Sequence, residues 1–486
     1  MEKENMKPDH YTLPFVIKGF ASILDLDGGR KVHDVVRRNG YEGNLHVVTC
    51  LIDMYVRFGE IENARRLFDE MRERDVVAWT TMIGAYTQVG NWLEAFSLFR
   101  DMRLEGQEPN DVTLLSLISA SSFLNFIHGM VIKLGFDTFV VIETALIDSY
   151  AKCGDVKSAR ELFDRMYWKN SVAWSAMICA YSVNGHPCDA LFLFRIMFLC
   201  SNEMLDHIGV LSVLQACSSL GSLLVGRMTH AHILKSGIGS DSIVGTCLID
   251  MYAKCGSVED AFVSFHSITD KNLVSWSAMI AGYGFHGLGK EALDMFSEMQ
   301  ELGFKPDDVA FLSILSACSH SGLIGEGTKI FKSILQTCNG VARAKHYACM
   351  IDLFARSGKI GEICSLLKEL PSIADASIWR GLFYACQVTA DCETAEIAAR
   401  NLYEVVPSGT DYNFILSNLY ASCGKWSIVS KIRSNLKQNR ARKTPGWSSI
   451  ELNCKVHTFH SADTSHPEWQ SIYKLLEIMF AEPDAL

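Results

Sequence analysis

The sequence predicts an all-α fold, a solenoid of stacked antiparallel helix-turn-helix repeats, and three observations lead to it. The chain overlays on itself: Leu51–Met71, Leu146–Met166, Leu248–Ile268 and Met350–Leu370 align without gaps, their starts 95, 102 and 102 residues apart. Each aligned block carries two apolar helical stripes separated by a glycine. Apolar residues make up 49% of the 486 residues, charged residues 21%, and there are only 10 prolines, a balance that supplies a large core and favours helix over disorder. One helical hairpin cannot bury its own apolar face, so the repeats must stack.

Residues 1–9 form a polar lead-in that has neither the apolar stretch of a signal peptide nor the Arg/Ser-rich, acid-poor character of a transit peptide. In the first aligned block Leu51, Ile52 and Tyr55 share one helical face, Gly59 breaks the chain, and Ile61, Ala64, Leu67 and Phe68 form the next stripe. The equivalent glycines are Gly90, Gly154, Gly185, Gly256, Gly287 and Gly358. Ala64, Ala95, Ala159, Ala190, Ala261 and Ala292 recur at one helical position, where close approach of helices requires a short side chain. A second family of blocks, Trp79–Met102, Trp174–Met197 and Trp276–Met299, repeats at 95 and 102 residues, and a third kind lies between. The period is therefore a triplet of units near 31, 35 and 35 residues.

Several function classes are disfavoured. No apolar run approaches the roughly 18 residues of a membrane helix, and the longest, Ala190–Cys200, is interrupted by Arg195, so no membrane partner is expected. The 16 cysteines include no Cys-x-x-Cys, and no Asn-x-Ser/Thr sequon occurs. A reducing compartment fits, and Cys153, Cys217, Cys255 and Cys318 read as small core residues rather than ligands. A net charge of -10 argues against generic coating of nucleic acid but not against base-by-base reading in a groove. Gly322–Lys329 has Walker-like glycines with Thr and Lys transposed and no preceding strand. No histidines stand at ligand spacing, and neither a cofactor, a metal nor an enzymatic activity is expected.

The period, the Leu248-Ile-Asp-Met-Tyr-Ala-Lys-Cys-Gly256 core and the Trp276-Ser-Ala-Met-Ile-Ala-Gly-Tyr283 core closely resemble the plant pentatricopeptide repeat family, in particular the subfamily that alternates long, short and standard motifs. The resemblance covers nearly the whole chain and implies a right-handed superhelical solenoid. On it, residues 10–375 are eleven repeats: long motifs at 10–44, 111–139, 207–241 and 308–343, short ones at 45–75, 140–170, 242–272 and 344–375, and standard ones at 76–110, 171–206 and 273–307. The motif at 111–139 lacks six residues around Phe123–His128, which predicts a shortened turn in that hairpin.

The resemblance further implies that each short or standard motif reads one RNA base with its fifth and last residues. Here those pairs are Thr49/Asp75, Thr80/Asn110, Thr144/Asn170, Ser175/Asp206, Thr246/Asn272 and Ser277/Asp307, in each case a hydroxyl followed by Asp or Asn. The same residue types also serve as helix caps and turn residues. An ionised Asp only accepts and suits guanine, whereas an Asn amide both donates and accepts and suits adenine. The expected order is G, A, gap, A, G, gap, A, G on an RNA running 5′ to 3′, with gaps at the long motifs, where Leu115/Phe139 and Leu312/Arg343 offer no equivalent pair. Val77, Val141, Val172, Ile243 and Val274 at the second position can wedge between bases, and His46 departs from that type. Ala348 occupies the reading position of the last short motif.

Residues 376–442 resemble the two extension motifs that follow the repeats in organellar RNA-editing factors, and residues 443–486 begin with Pro445-Gly-Trp-Ser-Ser-Ile-Glu451, similar to the Pro-Gly box of that group. His466-Pro-Glu468 imitates a deaminase His-x-Glu, but no Pro-Cys-x-x-Cys follows to complete a zinc site. The run Lys425–Lys443 carries seven basic residues and no acid, as a solvated face or a phosphate contact would. The expectation is a site-recognition factor for C-to-U editing that binds single-stranded organellar RNA in a mitochondrion or, alternatively, a chloroplast, and recruits a deaminase-bearing repeat protein and editing co-factors in trans. The alternatives are an RNA processing, stability or splicing factor and a tetratricopeptide-like protein scaffold.

Overall fold

The computed structural model describes residues 8–481 apart from 120–122, 202, 238–240, 338–343, 369–375, 390, 406–410, 423, 439–446, 453–454, 461–463 and 465–466. The lead-in Met1–Lys7, Arg343, Pro445-Gly446, Ser465-His466 and the basic residues Arg440, Arg442 and Lys443 lie outside the described residues. The chain divides into two compact units, Met1–Gly209 and Val210–Leu486.

Each unit is built from antiparallel helix-turn-helix hairpins, the all-α repeat fold that the periodicity predicts. In the first unit the hairpins are Thr12–Ile23 with Leu26–Arg38, Leu45–Arg57 with Ile61–Glu70, Val76–Gln88 with Trp92–Leu104, Asp111–Ile118 with Leu124–Lys133, Val140–Lys152 with Val156–Arg165, and Ser171–Val183 with Pro187–Cys200. The second unit continues the pattern from the helix His207–Leu220 to the hairpin Asp411–Ser422 with Trp426–Gln438. First helices of neighbouring hairpins lie side by side and make one wall of each stack, as Leu273–Phe285 does between Ser242–Lys254 and Asp308–Ser321. The turn glycines Gly59, Gly90, Gly154, Gly185, Gly256, Gly287 and Gly358 all have positive φ, the left-handed conformation that ends a helix at little cost in a residue without Cβ.

The repeating aromatic residues hold one hairpin to the next. Phe68 meets Trp79, Phe163 meets Trp174 and Phe265 meets Trp276 edge to face, at ring centroid distances of 4.8, 5.0 and 4.8 Å. Such pairs contribute about 0.5–1.5 kcal/mol each beyond their buried area. A different junction joins long to short motifs: His33, His128 and His230 each share a hydrogen bond through Nδ1 with the hydroxyl of Tyr55, Tyr150 and Tyr252, at 2.8, 3.0 and 2.8 Å. Close approach at the last of these needs Gly226, where a Cβ would overlap the Met251 sulfur. The alanines Ala64, Ala95, Ala159, Ala190, Ala261 and Ala292 are fully buried, as their recurrence predicts.

Three features depart from the sequence reading or sharpen it. The fourth motif corrects the expectation of a shortened turn, because the loss falls in the helices: Asp111–Ile118 and Leu124–Lys133 have 8 and 10 residues, against 14 each in His207–Leu220 and Leu223–Ser236. Beside the shortened hairpin lies an apolar hollow of about 1100 Å³ whose lining includes Leu93, Phe96, Phe123, Phe126 and Met130. Second, the tail contains an antiparallel hairpin, Trp447–Leu452 with Lys455–His460, paired from Trp447 opposite His460 to Leu452 opposite Lys455, followed by the helix Trp469–Ala481. Third, Cys217 and Cys318 are buried as expected, but Cys153 is exposed. It follows the last residue of the helix Val140–Lys152 and precedes Gly154, so it belongs to the turn rather than to the packed stripe.

Candidate nucleic-acid interface

All six last-position residues hold the start of the next first helix. Oδ1 of Asp75, Asn110, Asn170, Asp206, Asn272 and Asp307 accepts from the backbone N–H of Ala78, Thr113, Ala173, Gly209, Ser275 and Ala310, at 2.8, 2.9, 2.9, 2.9, 2.9 and 2.8 Å. This satisfies one of the orphan donors at each helix start. Oδ1 of Asn110 also accepts from the Thr113 hydroxyl. The other polar atom, Oδ2 of the aspartates or the NH2 of the asparagines, makes no hydrogen bond among the described residues; Asp75, Asn110, Asn170 and Asp206 are half-buried, and Asn272 and Asp307 are exposed. Each cap therefore presents one free acceptor or one free donor group, chosen by whether the residue is Asp or Asn.

The fifth-position hydroxyls fall into two sets by motif type. In the short motifs, Thr49, Thr144 and Thr246 donate to the carbonyls of Leu45, Val140 and Ser242 in their own helices, at 2.8, 2.6 and 2.7 Å. In the first two standard motifs the hydroxyl faces the neighbouring hairpin. Thr80 Oγ1 lies 2.7 Å from Thr113 Oγ1, which donates to Asn110 Oδ1 at 2.8 Å, so the two members of this pair are joined through Thr113. Ser175 Oγ sits where a Cβ on Gly209 would overlap it, and the Gly209 N–H is the one that Asp206 accepts, which brings the second standard pair together. The Ser175 and Ser277 hydroxyls are buried and without a hydrogen-bond partner, a state that costs about 1–3 kcal/mol for a buried polar group and persists where something compensates it.

The structure adds a position that sequence reasoning missed. The third residue after every cap, Ala78, Thr113, Ala173, Gly209, Ser275 or Ala310, is small and buried. It supplies the N–H for the cap, and at Thr113 and Gly209 it sets the space beside the hydroxyls of Thr80 and Ser175. The signal was present in the sequence as a run of small residues at a fixed offset from Asp or Asn.

The second-position residues Val77, Val141, Val172, Ile243 and Val274 are exposed branched apolar side chains, and His46 is exposed as well. The long motifs carry the same type, with Val112, Ile208 and Val309 exposed at the equivalent place, which the sequence reading did not anticipate. Further along the short-motif helices are four ion pairs at i, i+4: Asp53 with Arg57, Asp148 with Lys152, Asp250 with Lys254 and Asp352 with Arg356, at 2.9, 2.6, 2.8 and 2.9 Å. Positions 46, 49, 53 and 57 share one face of a 3.6-residue helix, so each of the first three short motifs offers an apolar or aromatic residue, a hydroxyl and a charged pair in a single stripe, whereas the fourth has Lys345 and Ala348 at the first two of these places. Among the described residues no group of three or more His, Cys, Asp or Glu could hold a metal ion, and no helix is long and apolar enough to cross a membrane.

Comparison with known proteins agrees with the repeat frame. The PPR repeat model matches residues 46–76, 144–171, 172–201, 246–273 and 346–373, the PPR repeat family model matches 74–122 and 271–320, and the E motif model matches 389–451. A chloroplastic pentatricopeptide repeat-containing protein of Arabidopsis thaliana is 35% identical over 98% of this chain and 60% of its own length. A mitochondrial one from the same plant is 36% identical over 98% of this chain and 74% of its own length. The chain thus spans between about 60% and 74% of these two relatives. The crystal structure of the maize pentatricopeptide repeat protein PPR10 superposes with a TM-score of 0.51 at 20% identity, over 89% of this chain and 64% of that one, and shares its fold. On the identity to full-length relatives and the repeated family matches, the chain belongs to the pentatricopeptide repeat family.

Proposed function

We propose that this chain is an organellar, sequence-specific single-stranded RNA-binding protein that selects a site for C-to-U editing and works with a deaminase supplied in trans. The observation that carries the reading is the repeated cap: six Asp or Asn residues, each tied by Oδ1 to a backbone N–H, each with one polar group unspent, each paired in register with a hydroxyl one hairpin earlier. A cap alone needs only Oδ1, and Asp, Asn, Ser and Thr serve it almost equally. The cap geometry also refines the base chemistry. With Oδ1 engaged, an Asn offers its NH2 to the N1 acceptor of adenine, and an Asp offers its second oxygen to the N1–H and N2–H2 donors of guanine.

The first unit then reads G with Thr49/Asp75, A with Thr80/Asn110, A with Thr144/Asn170 and G with Ser175/Asp206, and the second reads A with Thr246/Asn272 and G with Ser277/Asp307. The exposed second-position residues separate neighbouring bases. The repeat frames over 10–375, the extension motifs over 376–442 and the tail over 443–486 are the organisation this reading uses. The E motif match at 389–451 supports the editing role, and the chloroplastic and mitochondrial relatives support an organellar location. The test is the affinity for an RNA bearing the purine order above against one with those purines changed to pyrimidines, both at one salt concentration. The purine RNA binds more tightly if the reading holds; equal affinities overturn it.

A further inference from the structure

Three loops between a short motif and the following standard motif share one frame. Each begins on Met71, Met166 or Ile268 and ends on the cap Asp75, Asn170 or Asn272. The residue before the cap is a cation that folds back over a phenylalanine: Arg74 over Phe68 at 5.0 Å, Lys169 over Phe163 at 5.2 Å and Lys271 over Phe265 at 5.2 Å. The same cation bonds a backbone carbonyl, from Arg74 to Phe68, from Lys169 to Met166 and from Lys271 to Ile268, at 3.0, 2.7 and 2.9 Å. The anchors fix the loop, and the two residues between them point to solvent in all three copies.

Those two residues are Arg72-Glu73 in the first loop and Thr269-Asp270 in the third, ordinary polar tips. In the second they are Tyr167 and Trp168, with relative exposures of 101% and 64%. Nothing in the frame requires aromatic residues there, since the sister loops close without them. Two adjacent, largely exposed aromatics on an otherwise complete loop are the kind of apolar surface that marks a binding site. The local charge is also inverted: the sister tips each carry an acid, whereas the run from Arg165 to Asn170 holds Arg165 and Lys169 and no acid, and none follows before Asp189. Trp168 lies two residues from Asn170, within about 7 Å along even an extended backbone.

We infer that Tyr167 and Trp168 form a stacking platform for a base of the bound single-stranded RNA, next to the base read by Thr144 and Asn170. This rests on the RNA-binding reading above and adds a contact of a different kind: stacking accepts any base, because every base has a π-face, and the flanking cations suit its phosphate. The platform supplies affinity at one point of the array, while the caps supply discrimination.

The experiment compares the wild-type chain, the Tyr167→Ala/Trp168→Ala double variant and Trp168→Phe on the purine-pattern RNA, on its pyrimidine counterpart and on purine-pattern RNAs with one abasic nucleotide moved along the strand. The double variant binds both base-complete RNAs more weakly by the same factor, roughly fivefold to a hundredfold, with the purine-to-pyrimidine ratio unchanged, and Trp168→Phe recovers most of the loss. An abasic nucleotide beside the one read by Thr144/Asn170 weakens the wild type and costs the double variant nothing. Unchanged affinity of the double variant overturns the platform and assigns the tip to another partner, such as a protein. A wild type that does not distinguish purines from pyrimidines overturns the base code instead, and the abasic series still decides the platform.

Discussion

On the proposed reading Asp307 both caps a helix and contacts a base, and substitution there separates the two. Asp307→Ala removes the acceptor for the Ala310 N–H, so it lowers stability by about 0.5–2 kcal/mol as well as weakening RNA binding. Asp307→Asn keeps the acceptor and exchanges the free oxygen for an NH2, so thermal stability is unchanged while the preference at that nucleotide moves from G to A; a melting curve and a competition titration distinguish the variants. At this scale the sequence was informative because the motif fixes offsets: hydroxyl and Asp/Asn stood out at predetermined places. It did not reveal that the last-position residue caps and presents a polar group at once, since that depends on which atom the helix start engages. Nor did it reveal the exposure of Cys153, because a cysteine repeated beside a turn glycine reads like one repeated in a core.

The long-to-short junctions tie one hairpin to the next through a polar bond inside packed surroundings. Burial pushes the imidazoles of His33, His128 and His230 below their ordinary range and the hydroxyl of Tyr252 up to about 12. A base whose folded pKa lies below its unfolded one binds fewer protons in the native state, so stability is lost as pH falls from above the ordinary histidine value, near 6.5, toward the folded pKa. The melting temperature therefore drops between pH 7 and pH 5.5, and Tyr252→Phe, which removes the partner of His230, lowers it at pH 7 by the equivalent of about 1 kcal/mol. A flat melting temperature over that range contradicts this account. At the fourth junction the equivalent places hold Phe331 and Phe354, both buried, and Phe331 meets Tyr347 edge to face at 5.1 Å, so apolar packing stands there in place of the polar bond. Helices and hairpins were legible because a period of 3.6 residues recurs many times. The strands Trp447–Leu452 and Lys455–His460 were not, because each is short, occurs once and acquires its meaning only by pairing with the other.

Across the whole molecule a net charge of -10 coexists with one cation on each of the four short-motif first helices, Arg57, Lys152, Lys254 and Arg356, each balanced by an acid one helical turn earlier. Exposed pairs of this kind contribute little to stability, so their use is better sought in the ligand. Lys152→Gln and Lys254→Gln each weaken RNA binding uniformly across sequences and reduce the slope of log K against log salt by about one phosphate equivalent, with base preference and melting temperature unchanged. On the proposed reading, electrostatics sets how tightly the strand is held, and the caps set which strand it is.

The most direct test of that division is Asn272→Asp, measured against RNAs that differ only at the nucleotide assigned to Thr246 and Asn272. The cap to Ser275 is retained, and the free NH2 becomes an oxygen. Preference at that one nucleotide moves from A to G by about 1–3 kcal/mol, the scale of leaving a buried polar group without its partner, and every other position is unaffected. An equal change at all positions, or none at any, contradicts the account and leaves Asn272 a helix cap alone.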